Sequence, residues 1–282
     1  MPPHDPSSTA EFALDSYLAR IGRPGGRRAD AAALRDLNGA HLHAIPFENL
    51  DPVRGRAPSL SVPDLTAKLV RSARGGYCYE HNTLFATALE ALGFGVTRLT
   101  ARVLVGARGV VRPRTHMLLL VDVPGEEQPY VADVGFGSIG SIVEAMPLVA
   151  DAEVRVGARR HRLVRRPDGG PLPQWVLQAY AIEAEGPGWQ DQYAFTVEPF
   201  LAPDFEVINW HIATNPRSPF ATTLHAQRLL ADRHLALAGR SLVETDTDTG
   251  ARKERELADG DEVRRVLADA FGIVAPQDTP LG

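Results

Sequence analysis

RGGYCYEHN, residues 74–82, carries the single cysteine of a 282-residue chain. The thiol follows an Arg-Gly-Gly turn and precedes Glu80, His81 and Asn82. A lone cysteine is more often a small core hydrophobe than a reagent, because free cysteine is among the most buried residue types. The two glycines argue otherwise: they permit a close backbone approach at an entropic cost that a plain core helix has no reason to bear. Beyond the cysteine, Leu84, Phe85, Ala88, Leu89 and Leu92 recur at helical spacing, and Gly93 suits the C-cap. Cys78 therefore stands at or just before a helix N-terminus, where unpaired N–H groups place about half a positive charge. That charge, and any neighbouring imidazolium, favours the thiolate, which is the attacking form.

Upstream the chain reads helical. AEFALDSYLARIG follows Ser7, Ser8 and Thr9 as candidate caps, DAAALRDLNGAHLHA is a second helix, and SVPDLTAKLVRSA opens on a Ser61 cap with Pro63 in its first turn. From about Val96 the period changes to alternation. VTRLTARVLVGA, THMLLLVDV and PYVADVGFG read as strands, the last two separated by a PGEE turn. Shorter strands follow at VRVG, RHRLVRR and WVLQAYA, so the middle third is an antiparallel sheet, a small barrel. EAEGPGWQDQ reads as a crossing loop. The last third mixes strands (DFEVINWHIAT, LLADRHLALAGRSLVET) with a final helix, DEVRRVLADAFG, while TDTDTGARKERE reads as a solvated hairpin tip.

Composition sets outer bounds. Hydrophobic residues at 44% and charged residues at 23% place the chain among ordinary globular proteins, long enough to bury a core without disulfides or metals. A net charge of −5 supplies no basic field for nucleic acid. One thiol excludes an intramolecular disulfide, is too few for a cysteine zinc site, and fits a reducing cytoplasm. MPPHDPSST lacks a basic segment followed by an apolar run, so no signal peptide is expected, and no stretch is apolar enough for a membrane span. A homo-oligomer is compatible with all of this.

Which groups could serve the thiol? His81 lies close in sequence but need not point at it, and His41 and His43 precede a proline. His116 opens an apolar strand in PRTHMLLLV, where a polar ring is out of place, and Asp133 interrupts the apolar YVADVGFG and needs a partner. If PGEEQ closes a hairpin symmetrically, His116 lies opposite Gly135 and Asp133 is its diagonal neighbour on the same face. Such neighbours lie roughly 7–8 Å apart, within reach of an imidazole–carboxylate hydrogen bond. A one-residue register slip would put them on opposite faces. With the pairing in place, Asp133 sets the tautomer and His116 takes or shares the thiol proton.

At these residues the chain resembles the arylamine N-acetyltransferases. That family carries R-G-G-x-C-x-E-x-N around its nucleophile, matched by RGGYCYEHN at every fixed position. Its histidine strand is matched by THMLLL, its aspartate by DVGFG, and IPFENLD (residues 45–51) and NWHIATNPRSPF (residues 209–220) are also similar. At position 81, where some members carry leucine or glutamine, this chain has histidine. The resemblance implies an α+β fold with a cysteine-protease-like core: a helical bundle over 1–96 carrying the cysteine, a β-barrel over 97–203 carrying His116 and Asp133, and an α/β lid over 204–282. It implies ping-pong transfer of acetyl from the co-substrate acetyl-CoA, without a metal, through Cys78 to an arylamine, arylhydrazine or N-hydroxyarylamine. It further implies that Phe47, Thr115, Gly135 and Phe136 line the acceptor pocket, with Glu48, Arg74, Glu80 and Asn82 as scaffolding. No phosphate loop is present, so CoA's phosphates fall to scattered basic groups or backbone N–H. A cysteine hydrolase or transglutaminase-like enzyme shares the Cys-His-Asp order and is the rival reading; a non-catalytic binder of aromatic ligands is a third.

Overall fold

Asp30 precedes AAALRDLNGAHLHA, and its carboxylate accepts the Ala33 N–H at 2.9 Å, which starts a helix over Ala31–Ala44. Its buried face, Ala33, Leu34, Leu37, Asn38, Ala40 and His41, follows the helical repeat. These positions come from a computed structural model that describes residues 12–26, 28–107, 109–167, 170–183 and 186–281. Ser7, Ser8 and Thr9 lie outside the described residues, and the first helix runs Leu14–Arg20. Ser61 caps the helix at Val62–Leu65, its hydroxyl accepting the Asp64 N–H, and a π-helical turn continues it over Thr66–Val70.

The helix Cys78–Ala91 is the centre of the first half. From Cys78 to Leu89 only Thr83 escapes full burial. It packs against the strands Gly95–Val103 and His116–Asp122. The latter strand is buried on both faces, which is why it is the nearly unbroken apolar run MLLLV. Met117, Leu119 and Val121 face the helices, in one core with Phe85 and Leu89. Leu118 and Leu120 face the other way, into a second core with Leu99, Trp175, Leu177, Tyr193 and Phe195.

That second core fills an eight-stranded antiparallel sheet. In spatial order its strands are Met146–Pro147, Tyr130–Ala132, His116–Asp122, Gly95–Val103, Gly186–Phe195, Gln174–Glu183, Arg159–Arg166 and Glu153–Val156. A parallel bridge between Ala150 and Leu163 brings the far edge round towards the first, so the sheet is a nearly closed barrel.

Two sequence readings are corrected here. EAEGPGWQDQ is no crossing loop: Gly186–Phe195 is a strand paired with Gln174–Glu183 and, at its end, with Gly95–Val103. Glycine and proline there gave a turn signal that pairing with Gln174–Glu183 overrides. DFEVINWHIAT is no strand but the helix Ala202–Thr214. Its β-branched residues misled, whereas Phe205, Asn209, Ile212 and Ala213 bury at helical spacing, with Pro203 in the first turn and the Asp204 carboxylate accepting the Leu201 N–H at 2.8 Å. A smaller correction concerns Asp133, which stands just after the strand Tyr130–Ala132 rather than inside it.

The last elements form a five-stranded antiparallel sheet, Phe47–Glu48, His225–Leu229, Arg233–Ala238, Ser241–Asp246 and Arg252–Glu256. Val263, Leu267 and Phe271 of the terminal helix cover it in a third core. Its first strand comes from the IPFEN segment, near the start of the chain. The fold is α+β. Among the described residues no helix is long and apolar enough to cross a membrane.

Candidate active site

The hairpin joining His116–Asp122 to Tyr130–Ala132 pairs Leu119 with Ala132, Leu120 with Val131 and Val121 with Tyr130. This is the symmetric register, so His116 and Asp133 fall on one face. His116 Nε2 bonds Asp133 Oδ2 at 2.7 Å. The other carboxylate oxygen, Oδ1, accepts from Asn82 Nδ2 and from the Gly135 N–H, each at 3.0 Å. Asn82 in turn donates to Met117 O at 2.7 Å and accepts the Val134 N–H at 3.1 Å. One side chain of the cysteine helix thus fixes the aspartate, the strand His116–Asp122 and the segment just after Tyr130–Ala132.

Cys78 is the first residue of its helix, and its sulfur lies 3.8 Å from the Thr115 carbonyl, one residue before His116. The Tyr79 hydroxyl donates to that same carbonyl at 2.6 Å. Burial is nearly complete, with 8% exposure at Cys78, 3% at His116 and 1% at Asp133. Burial alone would lower the imidazole. The Asp133 carboxylate, by charge and hydrogen bond, and then the Cys78 sulfur overcome it and raise His116 to about 10. Burial likewise works against the Asp133 carboxylate, but His116, Asn82 and the Gly135 N–H hold it below the usual carboxylate range. The imidazolium is thus held on both sides, and since Nε2 is spent on Asp133, Nδ1 is the ring atom left for the sulfur.

The glycines explain themselves as close approaches. A side chain at Gly75 would strike the Pro46 carbonyl, and one at Gly76 would meet Glu80 Oε2 at 2.7 Å. The segment Pro46–Glu48 lies directly against this turn: Phe47 and Gly76 form a parallel bridge, and the Glu48 N–H bonds Gly76 O at 2.8 Å. Arg74 Nε donates to Glu48 Oε1 at 2.7 Å, and Lys68 Nζ to Asp51 Oδ2 at 2.5 Å and Glu80 Oε1 at 2.6 Å. Glu80 Oε2 accepts the Tyr77 N–H at 3.1 Å, which closes the helix start. Two cations thereby clamp three carboxylates beneath the loop. Burial pushes Glu80 up to about 7 even against Lys68, whose ammonium is raised, despite its own burial, by Glu80, Glu48 and Asp51.

The other residues named from sequence fall as follows. Gly135 is pressed onto the cysteine, since a Cβ there would lie 2.7 Å from Cys78 Cα and 2.9 Å from Cys78 O. Gly135→Ala must therefore move the thiol against its partners, and a misplacement of this kind is expected to cost about 10²-fold in turnover, read from steady-state kinetics. Thr115 offers its carbonyl to Tyr79 and Cys78. Phe136 stands edge-on to His116 with centroids 5.1 Å apart. Phe47 lines an apolar cleft with Leu42, Ile45, Val134 and Gly137. Gly137 has a φ of +58°, and a side chain there would lie 2.5 Å from the Phe47 ring. Sequence reasoning missed Tyr193, whose ring is 5.0 Å from both His116 and Phe136, because it lies on the strand read as a loop up to Gln192. It also missed Phe220, 6.1 Å from Phe47 and from Tyr77. The NWHIATNPRSPF similarity was the available signal for that residue. Among the described residues no group of three or more His, Cys, Asp and Glu could hold a metal ion.

Residues 30–279 match the sequence profile of the N-acetyltransferase family. The arylamine N-acetyltransferase of Mycolicibacterium smegmatis is 38% identical over 264 residues, 92% of this chain and 91% of that protein. The chain belongs to the arylamine N-acetyltransferase family. Solved structures of family members superpose throughout. The Nocardia farcinica arylamine N-acetyltransferase has a TM-score of 0.89 at 43% identity, covering 97% of this chain and 95% of that one. The Mycobacterium marinum arylamine N-acetyltransferase in complex with CoA has a TM-score of 0.84 at 36% identity, covering 95% and 96%.

Proposed function

We propose that the chain transfers acetyl from acetyl-CoA to an arylamine, arylhydrazine or N-hydroxyarylamine through a Cys78 thioester. The carrying observation is the 2.7 Å His116–Asp133 hydrogen bond set beside a cysteine that opens a buried helix. Cys78 as thiolate attacks the acetyl carbonyl carbon. The carbon–sulfur bond to CoA breaks, and the departing thiolate takes the proton held by His116. In the second half the acceptor nitrogen attacks the acyl-cysteine, its carbon–sulfur bond breaks, and the amine proton returns to His116. Thioester exchange between two thiols is nearly balanced, so the enzyme's task is a ready thiolate and exclusion of water. The burial of Cys78, His116 and Asp133 favours this reading over a peptide hydrolase, which needs a cleft open to water. The CoA complex of the M. marinum relative supports the donor.

Phe47 and Phe136 are assigned to the acceptor pocket, packing on its aromatic ring. The division of labour is a helical part carrying Cys78, a barrel carrying His116 and Asp133, and a C-terminal lid. A nucleophilic free thiol suits a reducing compartment, and the cytoplasm is the proposed location.

The test is CoA release from acetyl-CoA with and without an arylhydrazine, alongside intact mass of the protein after acetyl-CoA alone. Amine-dependent release with a single acetyl adduct is expected, whereas release without any adduct would overturn the thioester. A pH prediction follows from the raised His116. Acetyl transfer, which draws on the His116 imidazolium, should hold through neutral pH and fall as pH rises through about 10, read from a pH–rate profile.

A further inference from the structure

Three buried side chains that the proposed chemistry does not use form an unbroken hydrogen-bonded chain. Tyr17 Oη lies 2.8 Å from His41 Nδ1, His41 Nε2 lies 2.8 Å from His81 Nδ1, and His81 Nε2 lies 3.2 Å from the Pro46 carbonyl. They come from three helices, Leu14–Arg20, Ala31–Ala44 and Cys78–Ala91, and all are buried. The terminal partner dictates every proton. A carbonyl only accepts, so His81 Nε2 carries its hydrogen and Nδ1 accepts. His41 Nε2 must then donate, and His41 Nδ1 accepts from the Tyr17 hydroxyl. Burial holds both rings in this neutral form, with His81 lowered to about 4 and His41 well below its ordinary range. The charges facing them are Arg20 at His41, and Lys68 and Asp133 at His81.

The chain ends where position matters. Pro46 immediately precedes Phe47, and its carbonyl abuts the Gly75 backbone, three residues before Cys78. The His81 ring also stacks on Phe47, with centroids 6.4 Å apart and planes 9° apart. We propose that His81, oriented by His41 and Tyr17, is a positioning residue that holds the Pro46 carbonyl and so sets Phe47 for the aromatic acceptor. This rests on the acetyl-transfer reading and on Phe47 meeting the acceptor. His81 works through Phe47 and touches no reacting atom.

The test compares wild type, His81→Leu, His81→Gln and Tyr17→Phe. Glutamine retains one donor for Pro46 and one acceptor for His41, whereas leucine retains neither. His81→Leu is expected to raise the arylhydrazine KM about five- to tenfold, the scale of a lost buried hydrogen bond, with little change in the Cys78 alkylation rate. His81→Gln should restore the wild-type KM. Tyr17→Phe, the mildest change, frees His41 to adopt the other tautomer and should raise KM about two- to threefold. An unchanged KM in both His81→Leu and Tyr17→Phe, or a glutamine variant no better than leucine, overturns the proposal. If leucine prevents folding, the Tyr17→Phe and His81→Gln outcomes decide alone. A folded wild type that transfers no acetyl would remove the proposed function instead. The same variants would then be ranked by calorimetric affinity for the arylhydrazine, with equal affinities again overturning the positioning role.

Discussion

Cys78→Ser should abolish acetyl transfer, with a fall of at least about 10³-fold in amine-dependent CoA release, because a hydroxyl is a far weaker nucleophile at neutral pH than a thiolate. The substitution changes one atom and leaves the first turn of the helix intact. The Glu80 carboxylate still accepts the Tyr77 N–H, and Asn82 still braces Asp133. His116 keeps its Asp133 partner, so the variant isolates the sulfur. Intact mass should show no acetyl adduct after incubation with acetyl-CoA, and the melting temperature should stay within a few degrees. Retained transfer by this variant would mean that some other group carries the acetyl or that transfer is direct.

Asp133→Asn should cost about 10³–10⁴-fold in turnover while leaving the chain folded, and the reason is a tautomer. Two donors, Asn82 Nδ2 and the Gly135 N–H, already point at Oδ1, so the asparagine keeps its oxygen there. Its NH₂ must then face His116 Nε2, which becomes the acceptor. The ring proton moves to Nδ1, towards the sulfur, and His116 can no longer take the thiol proton. Wild-type turnover in Asp133→Asn would remove the triad from the mechanism.

The same pair should mark stability. A carboxylate held below its unfolded value near ~3.9 contributes stability that is present above that value and lost as pH falls through the folded one. A histidine raised to about 10 contributes stability that is complete below its unfolded value near ~6.5 and lost as pH rises towards 10. The margin of wild type over Asp133→Asn in urea unfolding should therefore be widest between about pH 4 and pH 6.5. It should narrow by pH 10.

Much of the site was legible because each piece is local. The Ser61 cap, the Cys78 helix start and the alternation of the barrel strands are short-range signals. The His116–Asp133 pairing needed only a symmetric turn at PGEEQ. The misread segments share one cause. In EAEGPGWQDQ and DFEVINWHIAT local propensity pointed one way, and pairing or packing decided the other. Gly186–Phe195 is a strand because Gln174–Glu183 hydrogen-bonds along it, and Gly95–Val103 joins only at its end. Ala202–Thr214 is a helix because Phe205 and Ile212 find the first core from one face.

By itself the sequence determined the cysteine loop, the helix behind it, the α+β order of elements and the residues that could meet at Cys78, since all depend on spacing within one or two elements. Only the tertiary structure decided why the loop needs its glycines: Pro46, Glu80 and the Cys78 backbone come too close for any side chain at Gly75, Gly76 or Gly135. It also placed the Phe47–Glu48 strand in the C-terminal sheet, Tyr193 and Phe136 against His116, and three helices on one Tyr17–His41–His81 chain. Those contacts join residues from 20 to 180 positions apart, a separation at which no periodicity or propensity carries information, because only chain packing sets the distance.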